Sequence, residues 1–376
     1  MVRSVTLSGL LQRARREPFA PEIALPAAAL AFLLLGWAAT IIFPEFSISA
    51  LGVSVYIIGV GCFAGGVALS KRAEILESRW LNFLSYGLIL VVASAYLYRF
   101  EPHLIFAGPV CVLLLRMYIR NRQCIDWAFL LGGLAFLAAS LWTQGIPLFN
   151  PGLKAGGHTA AVVLADALFV LGFVSLVARS GKAEIALYTL LGMLFMLGGY
   201  RGIVVVILLS LVVVLHNRRM IGAREVAVGL AAVLAFVMLF AVVRGDSGMG
   251  AAGLFLNRAG YTYDKYEYIV NTFSPVGHAK GRLWEASPYF YVGELTTGFR
   301  RNTTPGMFGF LWLDGGILEV IAAMALIGIL YGNLYRRDKT FYALGISYLL
   351  IAVETGFNVI YLIILLAICA ILSERV

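Results

Sequence analysis

The chain has 376 residues, of which 61% are hydrophobic and 13% charged, and its formal net charge is +9. A mean hydropathy of +0.89 excludes a soluble globule, and apolar runs of about 18 residues or more, the length of a membrane span, recur along the whole sequence. The basic residues sit in short clusters between those runs and form no single stripe, which excludes nucleic acid as the partner and follows the positive-inside rule.

These runs are continuous and do not alternate, so a β-barrel is excluded. The expectation is an all-α polytopic integral membrane protein, a single domain over 1–376 with about twelve transmembrane helices. The basic opening MVRSVTLSGLLQRARREPF resembles a signal n-region. The apolar stretch 24–43 that follows is long for a cleaved signal, and no small-x-small site closes it, so it reads as an uncleaved first span. Further spans are predicted near 50–69, 81–98, 103–119, 125–142, 159–178, 184–199, 202–216, 225–243, 314–335, 341–354 and 356–373. Cys62, Cys111, Cys124 and Cys369 fall in or beside these spans without a Cys-x-x-Cys pair, and imply neither a disulfide framework nor a metal site.

Charge divides the runs that are nearly fused. As one helix, residues 185–215 would be about 46 Å long, against a hydrocarbon core of about 30 Å. Both flanks are basic, with Arg179 and Lys182 before, and Arg218, Arg219 and Arg224 after. Basic flanks belong on the cytoplasmic side, so the chain crosses an even number of times and turns at Gly198, Gly199 and Gly202. Arg201 is thereby expected at the outer tip. The same reasoning folds 81–118 about RFEPH and 341–372 about ETGFN, which places Glu354 at the outer side. Both termini are then cytoplasmic, and 244–304 becomes one large outer loop before the tenth span.

Under this topology the charged groups near the membrane gather on the outer face, so a site is expected at that interface. Arg201 has two readings. It snorkels to the headgroups or pairs with Glu354, fixing helix packing; or its planar donors, beside glycine N–H groups, grip a phosphate. Arg244 follows the ninth span at once. His278, Lys280, Arg282, Arg300 and Arg301 bring the long loop back to the membrane. Five such groups suit a diphosphate; an ordinary polar loop with a basic rim is the alternative. Tyr261, Tyr263, Tyr266 and Tyr268 suit an interfacial belt or the core of the loop more than a sugar platform, and 261–273 has helical spacing that fits a helix lying flat on the membrane. The four histidines show no metal-ligand spacing, and no nucleotide-binding glycine motif is present.

Three outer segments carry a resemblance: GIPLFNP (145–151), GYRG around Arg201, and TTPGMFGFLWLDGGILEVIAAMALIGILYG (303–332), where a Thr-Pro-Gly re-entry leads to an Asp-Gly-Gly turn. Their order and spacing, with the large loop before the tenth span, resemble the oligosaccharide repeat-unit polymerases of the O-antigen polymerase type. The resemblance implies a membrane-embedded, metal-independent glycosyltransferase that needs no cofactor and uses no nucleotide sugar. Polyprenyl-diphosphate-linked oligosaccharides would be joined at the outer face of the cytoplasmic (inner) membrane. Arg201, Arg244, Arg282, Arg300 and Arg301 are then candidates for diphosphate binding, and His278 and Glu354 for the base. A chain-length regulator and a lipid-linked oligosaccharide flippase are the partners it implies. A ligase-type glycan transferase shares nearly every one of these features. A transporter is the third class, although internal repeats and midplane polar groups are missing.

Overall fold

The computed structural model describes residues 12, 14, 16–71, 79–98, 106–147, 160–198, 201–243, 251–281, 288–357 and 359–373. It is all-helical, with no strand among the described residues. The helices, in order, are α1 (Pro21–Ile42), α2 (Ala50–Leu69), α3 (Arg79–Tyr98), α4 (Ala107–Arg120), α5 (Arg122–Gln144), α6 (Ala160–Val177), α7 (Lys182–Met193), α8 (Arg201–Asn217), α9 (Ala223–Val243), α10 (Ala251–Thr272), α11 (Pro288–Thr297), α12 (Gly306–Arg337), α13 (Lys339–Thr355) and α14 (Val359–Ser373).

Every apolar run read from the sequence falls on one of these helices. Four stretches, Pro21–Ile42, Ala50–Leu69, Ile125–Thr143 and Gly306–Arg337, are long and apolar enough to cross a membrane by length and composition. Phe83–Ala95, Gly108–Met117, Ala165–Val177 and Gly202–Asn217 are shorter apolar helical stretches. The predicted turn between α7 and α8 begins with a short 3₁₀ segment, Leu194–Met196, and Gly198; Gly202 lies inside α8 and takes no part in it.

Basic side chains lock one end of the bundle together. Arg336 at the end of α12 donates to Ser70 Oγ at the end of α2 (2.9 Å). Arg218, just past α8, donates to the carbonyls of Val177 and Ser180 beyond α6, both at 2.8 Å. Arg179 pairs with buried Asp126 of α5. The hydroxyl of Tyr342, near the start of α13, reaches the carbonyl of Phe19 before α1. These arginines fill the C-terminal carbonyls of helices, where cations also meet the favourable end of the helix dipole.

Small residues bring α2 and α12 into close contact. A side chain at Gly66 would strike the backbone of Ala325, and one at Gly328 the backbone of Phe63, the packing expected where helices associate through backbone approach. The contacts of α12 also show that it reverses. Phe308 meets Gly59 and Gly328 meets Phe63. A straight helix would separate Phe308 and Gly328 by about 30 Å, whereas Gly59 and Phe63 lie about 6 Å apart along α2. The break is Gly316, at φ 69 and ψ −152, a region that only glycine enters readily. The stretch before it, Gly306 to Asp314, is buried throughout. It rises from within the bundle to the Gly315–Gly316 tip, and the rest of α12 descends along α2.

The break strips helix bonds from Leu313, Asp314 and Ile317, and the segment after α10 restores them. The Leu313 carbonyl accepts from the N–H of His278 (2.6 Å) and Ala279 (2.8 Å), Asp314 O accepts from Lys280 N, and Ile317 N donates to Pro275 O (3.1 Å). Asp314 Oδ1 accepts from Gly281 N.

The helix α10 does not lie flat on a surface as its spacing predicted. It packs against α1, α12, α9 and α2. Tyr263, Tyr266, Ile269 and Val270 are buried, and Tyr56, Tyr263, Tyr266 and Phe308 form one ring cluster. Glu267 is buried on the same helix. It accepts from Ser49 Oγ (2.5 Å) and Asn271 Nδ2 (3.1 Å). Ser49 caps α2 through Gly52 N. Glu267 therefore sits at the N-terminus of α2, where the helix dipole favours an anion.

Candidate functional site

Arg258, Tyr261, Thr262 and Lys265 follow helical spacing and share a face of α10. This face meets the Thr303–Thr304 segment at the foot of the re-entrant stretch. Arg258 Nη2 donates to Thr304 Oγ1 (2.9 Å), and Arg258 Nε donates to Glu354 Oε1 (3.3 Å). Thr262 and Thr304 hydroxyls lie 3.4 Å apart, as do Tyr261 OH and Thr303 Oγ1. The Arg301 guanidinium stands 5.2 Å from the centre of the Tyr261 ring. The Lys265 ammonium stands 5.2 Å from the same ring and also bonds Asp264 at 2.8 Å. Arg300 lies over Phe290 at 5.8 Å.

The Arg258–Glu354 pair is sunken but wet, its two side chains 33% and 34% exposed. Glu354 belongs to the last turn of α13, which ends beside Gly306 and Tyr56. Tyr56 is near the second turn of α2, so the pair lies about 10 Å below that helix's start. Beside the pair is a cavity of about 240 Å³ between α1, α9, α10 and α13. Phe32, Leu35, Val237, Phe255, Leu350 and Val353 line it, with Arg258 and Glu354 on its wall. The arrangement offers a guanidinium, the four hydroxyls of Tyr261, Thr262, Thr303 and Thr304, and a carboxylate at the edge of an apolar hollow. That set can hold an anion and accept a proton while an apolar group sits alongside.

Of the residues singled out from the sequence, the structure brings Glu354 to Arg258 and Arg301 to the Tyr261 ring on the same face, whereas Arg300 is exposed and lies over Phe290 of α11. His278 is placed elsewhere. It is exposed, stacks on Phe273 with ring centres 4.9 Å apart, and rides the strap over the α12 tip. Arg201 is the first residue of α8; its side chain, like all of Arg244 and Arg282, lies outside the described residues. Arg258, the residue at the centre, was missed because it sits in a segment read as loop. The signal was present in NRAGYTYDKYEY: Arg258, Tyr261, Thr262 and Lys265 share a face.

Fold and site together define a multi-pass helical membrane protein whose polar centre opens beside an apolar cavity, a build suited to a lipid-borne substrate. The chain belongs to the family described as "Putative O-antigen polymerase", whose model it matches over residues 25–366. It thereby joins the membrane enzymes of polysaccharide biosynthesis, with a polymerase-like, glycosyltransferase-type function and a lipid-linked oligosaccharide substrate. It is similar to two uncharacterized proteins of Methanocaldococcus jannaschii. Identity to MJ0419 is 28% over 250 residues, covering 60% of this chain and 69% of that protein. Identity to MJ0420 is 25% over 325 residues, covering 84% and 82%. No solved structure matches the chain.

Proposed function

We propose that this protein joins polyprenyl-diphosphate-linked oligosaccharide repeat units into a surface polysaccharide at the outer face of the cytoplasmic membrane. The observation that carries the reading is Arg258, held by Thr304 and Glu354 at the edge of the apolar cavity. A diphosphate leaving group gains negative charge as its bond to the sugar breaks, and preorganised guanidinium donors stabilise that charge. Arg258 and Arg301 are the nearest donors; Arg201, Arg244, Arg282 and Arg300 are the further ones on the same face in the twelve-crossing topology, with both termini cytoplasmic. The cavity is smaller than the roughly 300–1,000 Å³ of whole-ligand pockets. It suits the few carbons next to the diphosphate, with the rest of the polyprenyl chain in lipid. Glu354 is the better-placed base, and His278 the alternative. A chain-length regulator and a lipid-linked oligosaccharide flippase would act beside it.

The test is to purify the protein into nanodiscs and add a polyprenyl-diphosphate oligosaccharide with no nucleotide sugar. A ladder of longer glycans is expected, and its loss in Arg258→Ala. Transfer of the glycan to an added lipid acceptor without a ladder would identify a ligase. No transfer of either kind would reject both readings.

A further inference from the structure

The cavity beside Arg258 has a side on which the helices part. α1 packs on α10 and α13, and α9 packs on α8 and α10. Both α1 and α9 line the cavity, yet among the described residues the two share no extensive contact. Small side chains leave room there: Ala28 and Ala31, one turn apart on α1, line the cavity with Val237 of α9. Ala31 is also exposed, so it stands at the mouth. Leu34, one turn on from Ala31, and Leu234, one turn before Val237, are exposed as well, which gives the mouth an apolar rim. Ala31 lies about 16 Å before the end of α1, Val237 about 9 Å before the end of α9, and Leu350 about 8 Å before the end of α13. Against a hydrocarbon core of about 30 Å, those depths belong to acyl chains and not to headgroups or water.

Resting on the reading above, we propose that the gap between α1 and α9 is the portal through which the isoprenoid chain of a lipid diphosphate enters from the bilayer. The diphosphate rests on Arg258, the first isoprene carbons fill the cavity, and the chain leaves between Ala31 and Val237 into lipid. Two features choose this occupant. The guanidinium on the wall calls for an anionic head, and the hollow beside it calls for carbon bonded directly to that head. Free pyrophosphate would leave the hollow empty. A two-chain phospholipid carries glycerol esters next to its phosphate, and their carbonyls would be buried against Phe32, Leu35 and Val353 without donors. An isoprenoid is hydrocarbon from its first carbon onward. Its chain is too apolar to leave through the polar Thr303–Thr304 side of Arg258, so it must pass the mouth at lipid depth. The bilayer already solvates that chain, so the cavity supplies placement more than affinity: it fixes where the phosphate-bearing carbon stands against Arg258.

The test blocks the portal without touching the anion site. Ala31→Trp puts a large ring at a position that is already exposed. Leu30→Trp, exposed on the same helix and outside the cavity, is the control. Each protein, in nanodiscs and checked by unfolding temperature, is titrated with polyprenyl diphosphate and separately with inorganic pyrophosphate. Ala31→Trp should weaken polyprenyl diphosphate by about ten-fold or more, as steric changes in apolar pockets do, and leave pyrophosphate as in wild type. Arg258→Ala should weaken both, and Leu30→Trp neither. On wild-type protein, polyprenyl diphosphate with a diazirine in its first isoprene unit should label peptides of α1 and α9 around Ala31 and Val237, and photoreactive phosphatidic acid should not. Unchanged polyprenyl diphosphate binding by Ala31→Trp, labels confined to other helices, or equal labelling by phosphatidic acid would each overturn the portal. The glycan-ladder assay keeps the two readings apart. A ladder from wild type with labels elsewhere removes the portal and keeps the polymerase; labels at the portal without any glycan transfer keep the lipid site and remove the polymerase.

Discussion

Arg258 joins three elements at one atom group: it grows from α10, bonds Thr304 before α12, and pairs with Glu354 of α13. Its removal takes away the donors that would face the departing diphosphate. Arg258→Ala should lower transfer by about 10²–10³-fold, the range for loss of one preorganised donor. Arg258→Lys keeps the charge but not the planar fork, so it should recover only part of that loss. Steady-state transfer on a lipid-linked oligosaccharide, with a folding check by unfolding temperature, measures both. Equal activity of wild type and Arg258→Ala would move the site away from α10. Of the residues chosen from the sequence, Glu354 and Arg301 meet this face of α10, and they stood out because charge beside an apolar run is conspicuous. Arg258 was not legible, because its partners come from 46 and 96 positions away, and no local pattern encodes such a meeting.

At the scale of elements, the reversal within α12 sets the depth of the site. It lowers Thr303 and Thr304 to the end of α13 and leaves the strap 273–281 to satisfy the broken helix at the tip. Gly316 alone permits that backbone, and a side chain there would strike the Pro275 carbonyl. Gly316→Ala should therefore destabilise the protein by about 1–3 kcal/mol, read as a lower unfolding temperature, and should reduce transfer. Gly65→Ala of α2 faces open space and should be neutral or slightly stabilising, since alanine favours helix over glycine by about 1 kcal/mol. Equal effects of the two changes would show that the reversal does not matter. The re-entry and the Asp-Gly-Gly turn were legible in TTPGMFGFLWLDGG, where glycine and proline interrupt an apolar run. The docking of 273–281 was not, since it uses backbone bonds that any sequence offers.

Across the whole molecule, basic residues and helix carbonyls close one end, and the Arg258 centre opens toward the other. The positive-inside pattern predicts that the closed end faces the cytoplasm. In a cysteine-free background, Gly298→Cys should react with a membrane-impermeant thiol reagent in intact cells. Gly181→Cys and Gly222→Cys should react only after the membrane is opened. Labelling of Gly181→Cys from outside would invert the topology.

The sequence by itself determined an all-helical membrane protein, the position of each apolar helix, the basic end of the bundle and the family. The helices and their basic flanks rest on local composition and periodicity, because each helix satisfies its own backbone and needs only a run of apolar residues; the family was carried instead by the resemblance of three outer segments. The tertiary structure alone decided that α10 packs into the bundle, that α12 doubles back, and that Arg258, Thr304 and Glu354 converge. These depend on which helix faces meet and how closely glycine lets them approach, and such distances are fixed only when the whole chain is packed.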